Sequence, residues 1–215
     1  MIKGAIFDAD GTLLDSMHIW DEVGERFLRS KGKMPEADLY KILFPMTLEE
    51  SSVYLKMHYA LDESPKEIKE GVLSVIDGFY RREVGLKAGV KDYLAYLHQN
   101  GIRMSVATTS DKGQIEAAFI RLGIRKYFRE IFTCSELQTN KREPTVYLKA
   151  AEALDVNPSE TVVFEDVIYA VKTAKKAGFF TVAVEDASSL DSREEIKEAA
   201  DLYIRDFTDS SLRTI

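Results

Sequence analysis

Residues 2–16 read IKGAIFDADGTLLDS, an apolar run that ends abruptly in acidic and turn-forming residues. The run over 2–7 predicts a buried strand, and DADGT predicts a turn at its carboxyl end. Ligands of open α/β sheets bind outside the carboxyl ends of the strands, so Asp8 and Asp10 fall where a site is expected. Gly11 permits the tight turn that directs Asp10 back toward that site.

The rest of the chain alternates between apolar runs and helical patterns. Strands are predicted at 102–107, 131–134, 161–164, 180–184 and 202–204, and helices at about 90–100, 112–122, 145–154, 168–177 and 192–200. Gly101, Gly123 and Gly178 follow three of these helices as stop signals. Continuous apolar strands alternating with helices indicate a parallel sheet covered on both faces, which is a doubly wound, Rossmann-like α/β fold.

One long stretch, residues 15–86, interrupts the alternation, because every periodic segment in it is helical. Within it, the sequence SPKE at 64–67 has the spacing of a capping box with proline at the first helical position. We therefore predict an α/β core of residues 1–14 and 87–215 with a helical cap inserted after the first strand. A cap inserted at that point would act as a lid that excludes water during the reaction.

Composition limits the classes of partner. The 215 residues are 45% apolar and 30% charged, which is typical of a globular protein, and no stretch approaches the roughly 20 apolar residues that span a bilayer. The net charge of −7 argues against nucleic-acid binding but not against a small phosphorylated substrate. No secretory signal is recognised, and the single Cys134 cannot form an internal disulfide. We predict a cytoplasmic protein with no membrane partner, and a monomer as the default.

Candidate functional residues follow four of the predicted strands. They are the segment DADGT at 8–12, Thr108 with Thr109 and Ser110, Lys141, and the pair Glu165-Asp166. The carboxyl ends of parallel strands meet at one edge, so two acidic pairs, a hydroxyl and a lysine would be assembled there. Hard oxygen ligands that leave room for water and phosphate suit Mg²⁺.

The two aspartates of DADGT suit different steps of phosphoryl transfer. A carboxylate at the strand end can attack phosphorus and form an aspartyl phosphate. The second can protonate the leaving oxygen and later activate water. A divalent cation and a lysine would offset the repulsion between the attacking carboxylate and the phosphate, and Thr108 would donate a hydrogen bond to a phosphoryl oxygen.

Four segments together resemble a known family. They are IFDADGTLLDS at 6–16, MSVATTS at 104–110, NKREPTVYLKAAEAL at 140–154 and VVFEDVIYAVKTAKKAG at 162–178. In this order and spacing they are similar to the four motifs of the haloacid dehalogenase superfamily, specifically of its phosphatase and phosphomutase members. The predicted cap then corresponds to the helical cap of relatives of β-phosphoglucomutase and phosphoglycolate phosphatase.

The resemblance implies a role for each matching residue. Asp8 would be the nucleophile and a metal ligand, and Asp10 the general acid/base that also offers its backbone carbonyl to the metal. Thr108 would bind phosphate, and Lys141 would neutralise charge. The pair Glu165-Asp166 would complete the Mg²⁺ site, with the aspartate a ligand and the glutamate a direct or water-mediated one.

Other residues near these motifs have less specific interpretations. Arg142 stands where the family commonly has proline, and it is a candidate for anchoring a second anionic group of the substrate. Thr109 is expected to contribute its backbone N–H, and His18 faces either substrate or solvent. Glu185-Asp186 also follows an apolar strand, but it is interpreted as a surface pair. In the cap, Met17, Trp20 and the stretch FPMT at 44–47 are interpreted as core in preference to pocket lining.

The function predicted from these features is Mg²⁺-dependent hydrolysis of a small phosphorylated metabolite, which makes the chain a phosphoric monoester hydrolase. The nearest alternative is a β-phosphoglucomutase-like mutase with the same first step. Mutases of that kind hold the second anionic end of the substrate with basic groups on a cap loop, and FPMTLEESS at 44–52 has no lysine or arginine. A phospho-accepting signalling domain is the alternative from another class, but such domains are shorter and lack the second aspartate.

Overall fold

The computed structural model describes residues 1–214. Its strands are β1 Gly4–Phe7, β2 Leu14–Asp15, β3 Gly85–Leu86, β4 Arg103–Thr108, β5 Phe128–Thr133, β6 Thr161–Glu165, β7 Phe180–Val184 and β8 Leu202–Ile204. Its α-helices are α1 Ile19–Ser30, α2 Leu39–Leu43, α3 Leu48–Tyr59, α4 Pro65–Arg82, α5 Val90–Gln99, α6 Lys112–Leu122, α7 Thr145–Leu154, α8 Ile168–Lys176 and α9 Arg193–Ala199. They form two compact units, a core unit of Met1–Ser16 with Val84 onward and a helical unit of Met17–Glu83.

The core unit contains a six-stranded sheet with the order β5-β4-β1-β6-β7-β8, and every neighbouring pair in it is parallel. The prediction of a doubly wound α/β fold is confirmed. The chain continues from β1 to β4 on one side and from β6 to β7 on the other. Such a reversal opens a crevice at the carboxyl ends of β1 and β6, where α/β proteins bind their ligands.

The central strand β1 is completely buried, which makes it a firm support for the loop that follows it. Phe7 pairs in register with Phe164 on β6, and their rings stack with centroids 4.5 Å apart. On the face of the sheet that α7 covers, Ile6 packs in one cluster with Val146 and Ala150 of that helix. Aromatic stacking and close packing of this kind fix side chains in single positions. The carboxyl ends of β1 and β6, and the loops that follow them, are therefore held in defined positions.

Two features of the core unit differ from the sequence-based expectation. Strand β5 begins at Phe128, three residues before the predicted 131. The prediction missed these residues because β5 is an edge strand, and its charged residues Arg129 and Glu130 interrupt the apolar run. Strands β2 and β3 pair as a short antiparallel ribbon, with Leu14 opposite Leu86. Two-residue strands are too short for periodicity to reveal. The ribbon belongs to the core unit, so the helical unit runs over 17–83 rather than 15–86.

Capping boxes stabilise the N-termini of two helices in the helical unit, α3 and α4. The predicted box before α4 is present: Ser64 Oγ accepts a hydrogen bond from the Glu67 N–H at 3.3 Å, and the Glu67 carboxylate accepts one from the Ser64 N–H at 2.8 Å. Thr47 and Glu50 form a second box before α3. Each cap contributes on the order of 1 kcal/mol by satisfying amides that a helix start leaves without partners.

The interpretation of the cap aromatics as core is wrong for two residues. Trp20 is 52% exposed and Phe44 is 85% exposed. Trp20 lies in the first turn of α1 and Phe44 directly follows α2, and side chains at helix ends are covered on fewer sides than those in the middle. Both line a cavity of about 460 Å³ within the helical unit, together with Met46.

Among the helices of residues 1–214, none combines the length and the apolar character that crossing a bilayer requires.

Candidate active site

Asp8 directly follows β1, and the turn after it brings Asp10 close. The Asp8 N–H donates to the Phe164 carbonyl at 3.0 Å, which extends the β1–β6 pairing into the loop. Gly11 has a φ of 75°, a left-handed conformation that glycine adopts without steric cost. The Asp10 carboxylate accepts hydrogen bonds from Ser16 Oγ at 2.6 Å and from Ser110 Oγ at 2.5 Å. The turn and two hydroxyls therefore hold Asp10 in one orientation.

Lys141 connects the ends of β1 and β6. Its ammonium donates to Asp8 Oδ1 and lies 2.7 Å from Glu165 Oε1, and all three side chains are buried. The same Glu165 oxygen accepts a hydrogen bond from the Tyr147 hydroxyl at 2.6 Å. Tyr147 is fully buried on α7, six residues after the lysine. A continuous chain of buried polar contacts thus runs from α7 to the strand-end aspartate.

Three buried carboxylates converge at this point. Oxygen atoms of Asp8, Glu165 and Asp166 lie within 4.8 Å of one another, and Thr12 Oγ1 donates to Asp166 Oδ1 at 3.3 Å. The second oxygen of the glutamate, Oε2, is buried and accepts no hydrogen bond. Burying a carboxylate oxygen without a partner is costly. The cluster has three carboxylates, one lysine and a carboxylate oxygen without a hydrogen-bond partner. A divalent cation would fit it, because the cation would bind that oxygen and balance the negative charge.

The electrostatics of the cluster point in the same direction. Burial raises the pKa of Asp8 well above its ordinary value; Lys141 opposes this shift, and the neighbouring carboxylates add to it. The pKa of Asp166 is raised to about 7, mainly by burial and secondly by repulsion from Glu165. Burial alone would lower the pKa of Lys141, but Asp8 and Glu165 outweigh it and raise that pKa. One lysine therefore does not compensate the three carboxylates, and a cation would.

The end of β4 supplies hydroxyl groups. Thr108 is buried, and its Oγ1 accepts the Ser110 N–H at 3.0 Å, which leaves the hydroxyl proton free to donate. The Thr109 side chain is exposed. Ser110 is the residue of this segment that reaches the first loop, through its contact with Asp10. From the sequence, Ser110 was grouped with the two threonines, but its contact with Asp10 was not predicted.

The interpretation of Glu185-Asp186 as a surface pair is wrong for the aspartate. Asp186 is buried, and its carboxylate lies 2.8 Å from Lys87 Nζ. Its charge also acts on Asp166, whose pKa it raises, so the pair lies within electrostatic reach of the cluster. A lysine 99 residues away in the sequence makes this burial possible, and nothing local to Asp186 indicates it.

Two predicted substrate-binding residues lie outside the buried cluster. Arg142 is exposed, and its guanidinium carbon lies 4.6 Å from the centre of the Tyr169 ring. His18 belongs to the helical unit, where its ring contacts Phe79 edge-to-face with centroids 5.3 Å apart. For both residues, contact with a substrate stays a prediction.

Two residues that orient the acidic groups, Tyr147 and Ser16, were not predicted from the sequence. Ser16 closes the first motif, and its spacing of six from Asp10 fits a loop that folds back on itself. Tyr147 lies in the apolar stripe of α7 and is indistinguishable there from a core aromatic. Its hydroxyl contact joins residues 18 positions apart, which no local pattern reveals.

Fold, motif order and residue geometry together define a class of hydrolase. Residues 5–184 match the family described as haloacid dehalogenase-like hydrolase, and the chain belongs to that family. The resemblance inferred from the four motifs is confirmed. The chain is an enzyme of this family, a phosphoric monoester hydrolase, as predicted from the sequence.

Several known proteins are similar to this chain. A phosphorylated carbohydrates phosphatase of Thermotoga maritima is 27% identical over 177 residues, which cover 82% of each protein. The fructose-1-phosphate phosphatase YqaB of Escherichia coli is 26% identical over 191 residues, covering 84% of this chain and 95% of YqaB. The crystal structure of a candidate β-phosphoglucomutase from T. maritima superposes with a TM-score of 0.82 at 25% identity, covering 94% of each chain.

Proposed function

We propose that this protein hydrolyses a small phosphorylated sugar or a related metabolite through an aspartyl phosphate on Asp8, with Mg²⁺ as the cofactor. The observation that carries the proposal is the contact of one buried lysine with Asp8 and Glu165 beside a third carboxylate. This contact supports the proposal because it would bring a nucleophile, a charge-neutralising cation and a set of metal ligands together. The proposal includes a monomer that works in the cytoplasm, where the buried thiol of Cys134 would stay reduced.

In the first step, a carboxylate oxygen of Asp8 forms a bond to phosphorus while the bond from phosphorus to the substrate oxygen breaks. The Asp10 carboxyl gives its proton to that leaving oxygen. In the second step, Asp10 accepts a proton from water as the water oxygen attacks phosphorus, and the Asp8 carboxylate is released. The two serine hydroxyls on Asp10 keep its carboxyl group directed in both steps.

Mg²⁺ would be held by Asp8, Asp166, Glu165 and the backbone carbonyl of Asp10. When bound, the ion supplies positive charge that offsets the repulsion between the carboxylates and the phosphoryl group. Lys141 would contribute to the same offset through its contacts with Asp8 and Glu165. The unpartnered Glu165 oxygen supports this assignment, because a cation or a water molecule bound to it would satisfy that oxygen.

Recognition of the substrate is assigned to the edges of the site. Thr108 donates a hydrogen bond from its hydroxyl to a phosphoryl oxygen, and Thr109 contributes its backbone N–H as a further donor. Arg142 and His18 contact the remainder of the substrate. The helical unit is proposed to be the substrate-selecting cap, because it is inserted into the chain directly after the loop that carries the nucleophile.

The remaining candidate is a β-phosphoglucomutase-like reaction with the same first step. The solved T. maritima structure carries that description, whereas the two similar proteins described above are named as phosphatases of phosphorylated carbohydrates and of fructose 1-phosphate. The segment 44–52 carries two glutamates and no basic residue, which argues against holding the second anionic end of a sugar phosphate there. Hydrolysis is therefore favoured.

A substrate screen tests the proposal. The purified protein is incubated with sugar phosphates, phosphoglycolate and p-nitrophenyl phosphate, with Mg²⁺ or with EDTA, and inorganic phosphate and sugar phosphate isomers are quantified by NMR. We expect phosphate release that requires Mg²⁺. Interconversion of glucose phosphates without phosphate release would establish the mutase instead. A stable phosphoprotein with no turnover would contradict both enzymatic assignments.

Removing the Tyr147 hydroxyl is expected to weaken Mg²⁺ binding. In the Tyr147→Phe variant, Glu165 loses one of the two donors that fix its carboxylate, and loss of such outer contacts typically lowers metal affinity by about 10–100-fold. Isothermal titration of Mg²⁺ in the presence of phosphate measures the change. Tyr93→Phe is the matched control, because Tyr93 is a buried tyrosine of the core unit outside the cluster. Equal Mg²⁺ affinity in the parent and Tyr147→Phe would contradict the role given to Glu165.

Replacing Asp10 with asparagine is expected to slow turnover by about 10²–10⁴-fold, the usual contribution of a general acid/base. The loss in the first step should be smaller for p-nitrophenyl phosphate, whose leaving group needs no proton, than for an alkyl phosphate. Single-turnover rates for both substrates measure this difference. Asp15→Asn removes an exposed carboxylate of the neighbouring strand β2 and serves as the control. Equal losses for the two substrates would rule out a proton-donating role for Asp10.

A further inference from the structure

Arg142 and Tyr169 are in cation–π contact on the core unit. The guanidinium carbon lies 4.6 Å from the ring centre, which is the geometry of a cation–π contact. The arginine lies in the turn before α7, and the tyrosine is the second residue of α8. Within residues 1–214 the guanidinium N–H groups of Arg142 donate no hydrogen bond to the protein, so they are available to a ligand.

The pair lies beside the catalytic cluster. Arg142 follows Lys141, whose ammonium contacts the nucleophile, and Tyr169 comes three residues after Asp166. Burial raises the pKa of the Tyr169 phenol, and the charges of Lys141 and the cluster carboxylates also act on that pKa. Arg142 is the direct neighbour of Lys141, and Tyr169 lies in the first turn of the helix that follows Asp166, so the pair lies at the margin of the proposed phosphoryl site.

The charge of Arg142 is not compensated within the protein. Lys141 is neutralised by Asp8 and Glu165, and Lys87 by Asp186. Across residues 1–214, by contrast, no carboxylate forms an ion pair with Arg142. The turn that carries it is ordered, because the Arg142 N–H donates to Asn140 Oδ1 at 2.8 Å. An exposed cation is thus fixed in place beside the site without an acidic partner.

We propose that the Arg142–Tyr169 pair recognises a second anionic group of the substrate, a carboxylate or a second phosphate. A guanidinium fork binds either group through two parallel hydrogen bonds, and contact with the Tyr169 ring before binding reduces the entropy that Arg142 loses on binding. The inference rests on the proposed phosphatase function and specifies its substrate class. Phosphorylated acids and bisphosphates are preferred over phosphate esters that carry only neutral groups.

A matched pair of substrates tests this preference. 3-Phosphoglycerate and glycerol 3-phosphate differ at one end, where a carboxylate replaces a hydroxymethyl group. The parent should have a kcat/KM at least about tenfold higher for 3-phosphoglycerate, since a charge-assisted hydrogen bond contributes a factor of about 10–100. In Arg142→Gln, kcat/KM should fall at least about tenfold more for 3-phosphoglycerate than for glycerol 3-phosphate. Tyr169→Leu should show a smaller loss in the same direction.

The control is Arg129→Gln, which removes an exposed arginine from β5 and should keep the parental selectivity. Equal losses for both substrates in Arg142→Gln would mean that Arg142 holds the transferred phosphoryl group, and would overturn the inference. A parent without preference for the acid would also overturn it. If p-nitrophenyl phosphate is hydrolysed but neither metabolite is, their competitive inhibition constants replace kcat/KM in the same comparison. If no ester is hydrolysed, the proposed function itself fails.

Discussion

The Asp8→Asn variant is expected to lose phosphate-ester hydrolysis by on the order of 10⁶-fold, the size of loss observed when a covalent nucleophile is removed from a catalytic unit. The amide cannot form an acyl phosphate under these conditions, and it contributes no charge to a bound cation. Asp8 is buried at the end of the central strand and contacts Lys141, so no other carboxylate of the cluster occupies its position. Initial rates with Mg²⁺ and a good phosphate-ester substrate measure the effect.

The same variant should remain folded. Burial already raises the pKa of Asp8, so replacing it with a neutral amide removes a charge that the folded state disfavours. Lys141 keeps its contact with Glu165. The melting temperature without metal should therefore equal or exceed that of the parent, and Asp15→Asn should retain full activity. Undiminished Mg²⁺-dependent turnover by Asp8→Asn would refute the mechanism.

Replacing Lys141 with methionine is expected to affect both activity and stability. The side chain is buried between two carboxylates, and removing one partner of a buried ion pair costs about 3–5 kcal/mol. The loss should be larger at pH 8 than at pH 5. Without the lysine, the pKa values of Asp8 and Asp166 rise further in the folded state. Folding then takes up protons, so stability falls as pH rises from the unfolded value of about 4 through those raised pKa values.

Urea unfolding at the two pH values in EDTA measures this difference, and Mg²⁺ should restore part of the stability at pH 8. Lys87→Met is the matched control, since Lys87 forms a largely buried ion pair with Asp186 but does not contact Asp8. It should lose stability while keeping turnover much closer to that of the parent. A Lys141→Met variant with parental activity and a pH-independent stability would show that the lysine has no part in the site.

Much of the core unit could be predicted because its signals are local. The apolar run of β1 followed by DADGT indicated a strand and a turn, and the same pattern recurs at β4 and β6. Buried parallel strands are continuous apolar runs, so composition alone locates them. Edge strand β5 was located only in part, because its exposed face carries charged residues that interrupt the apolar run.

The parts of the site that could not be predicted depend on long-range contacts. Tyr147 reads as a core aromatic until the fold brings its hydroxyl to Glu165. Asp186 reads as a surface residue until Lys87 is placed beside it. In the helical unit, the exposure of Trp20 and Phe44 depends on what covers the ends of short helices, and periodicity does not report that.

In the proposed mechanism, the phosphoryl group forms a transient covalent bond to Asp8. The most direct test is to mix Asp10→Asn with substrate and Mg²⁺, quench rapidly and treat with borohydride, which reduces an aspartyl phosphate to homoserine. Peptide mass spectrometry then identifies the modified position. Homoserine at position 8, absent without substrate and absent in an Asp8→Asn/Asp10→Asn double variant, is the predicted result. Phosphate release with Asp8 unmodified, or modification at another residue, would contradict the role of Asp8 as the covalent nucleophile.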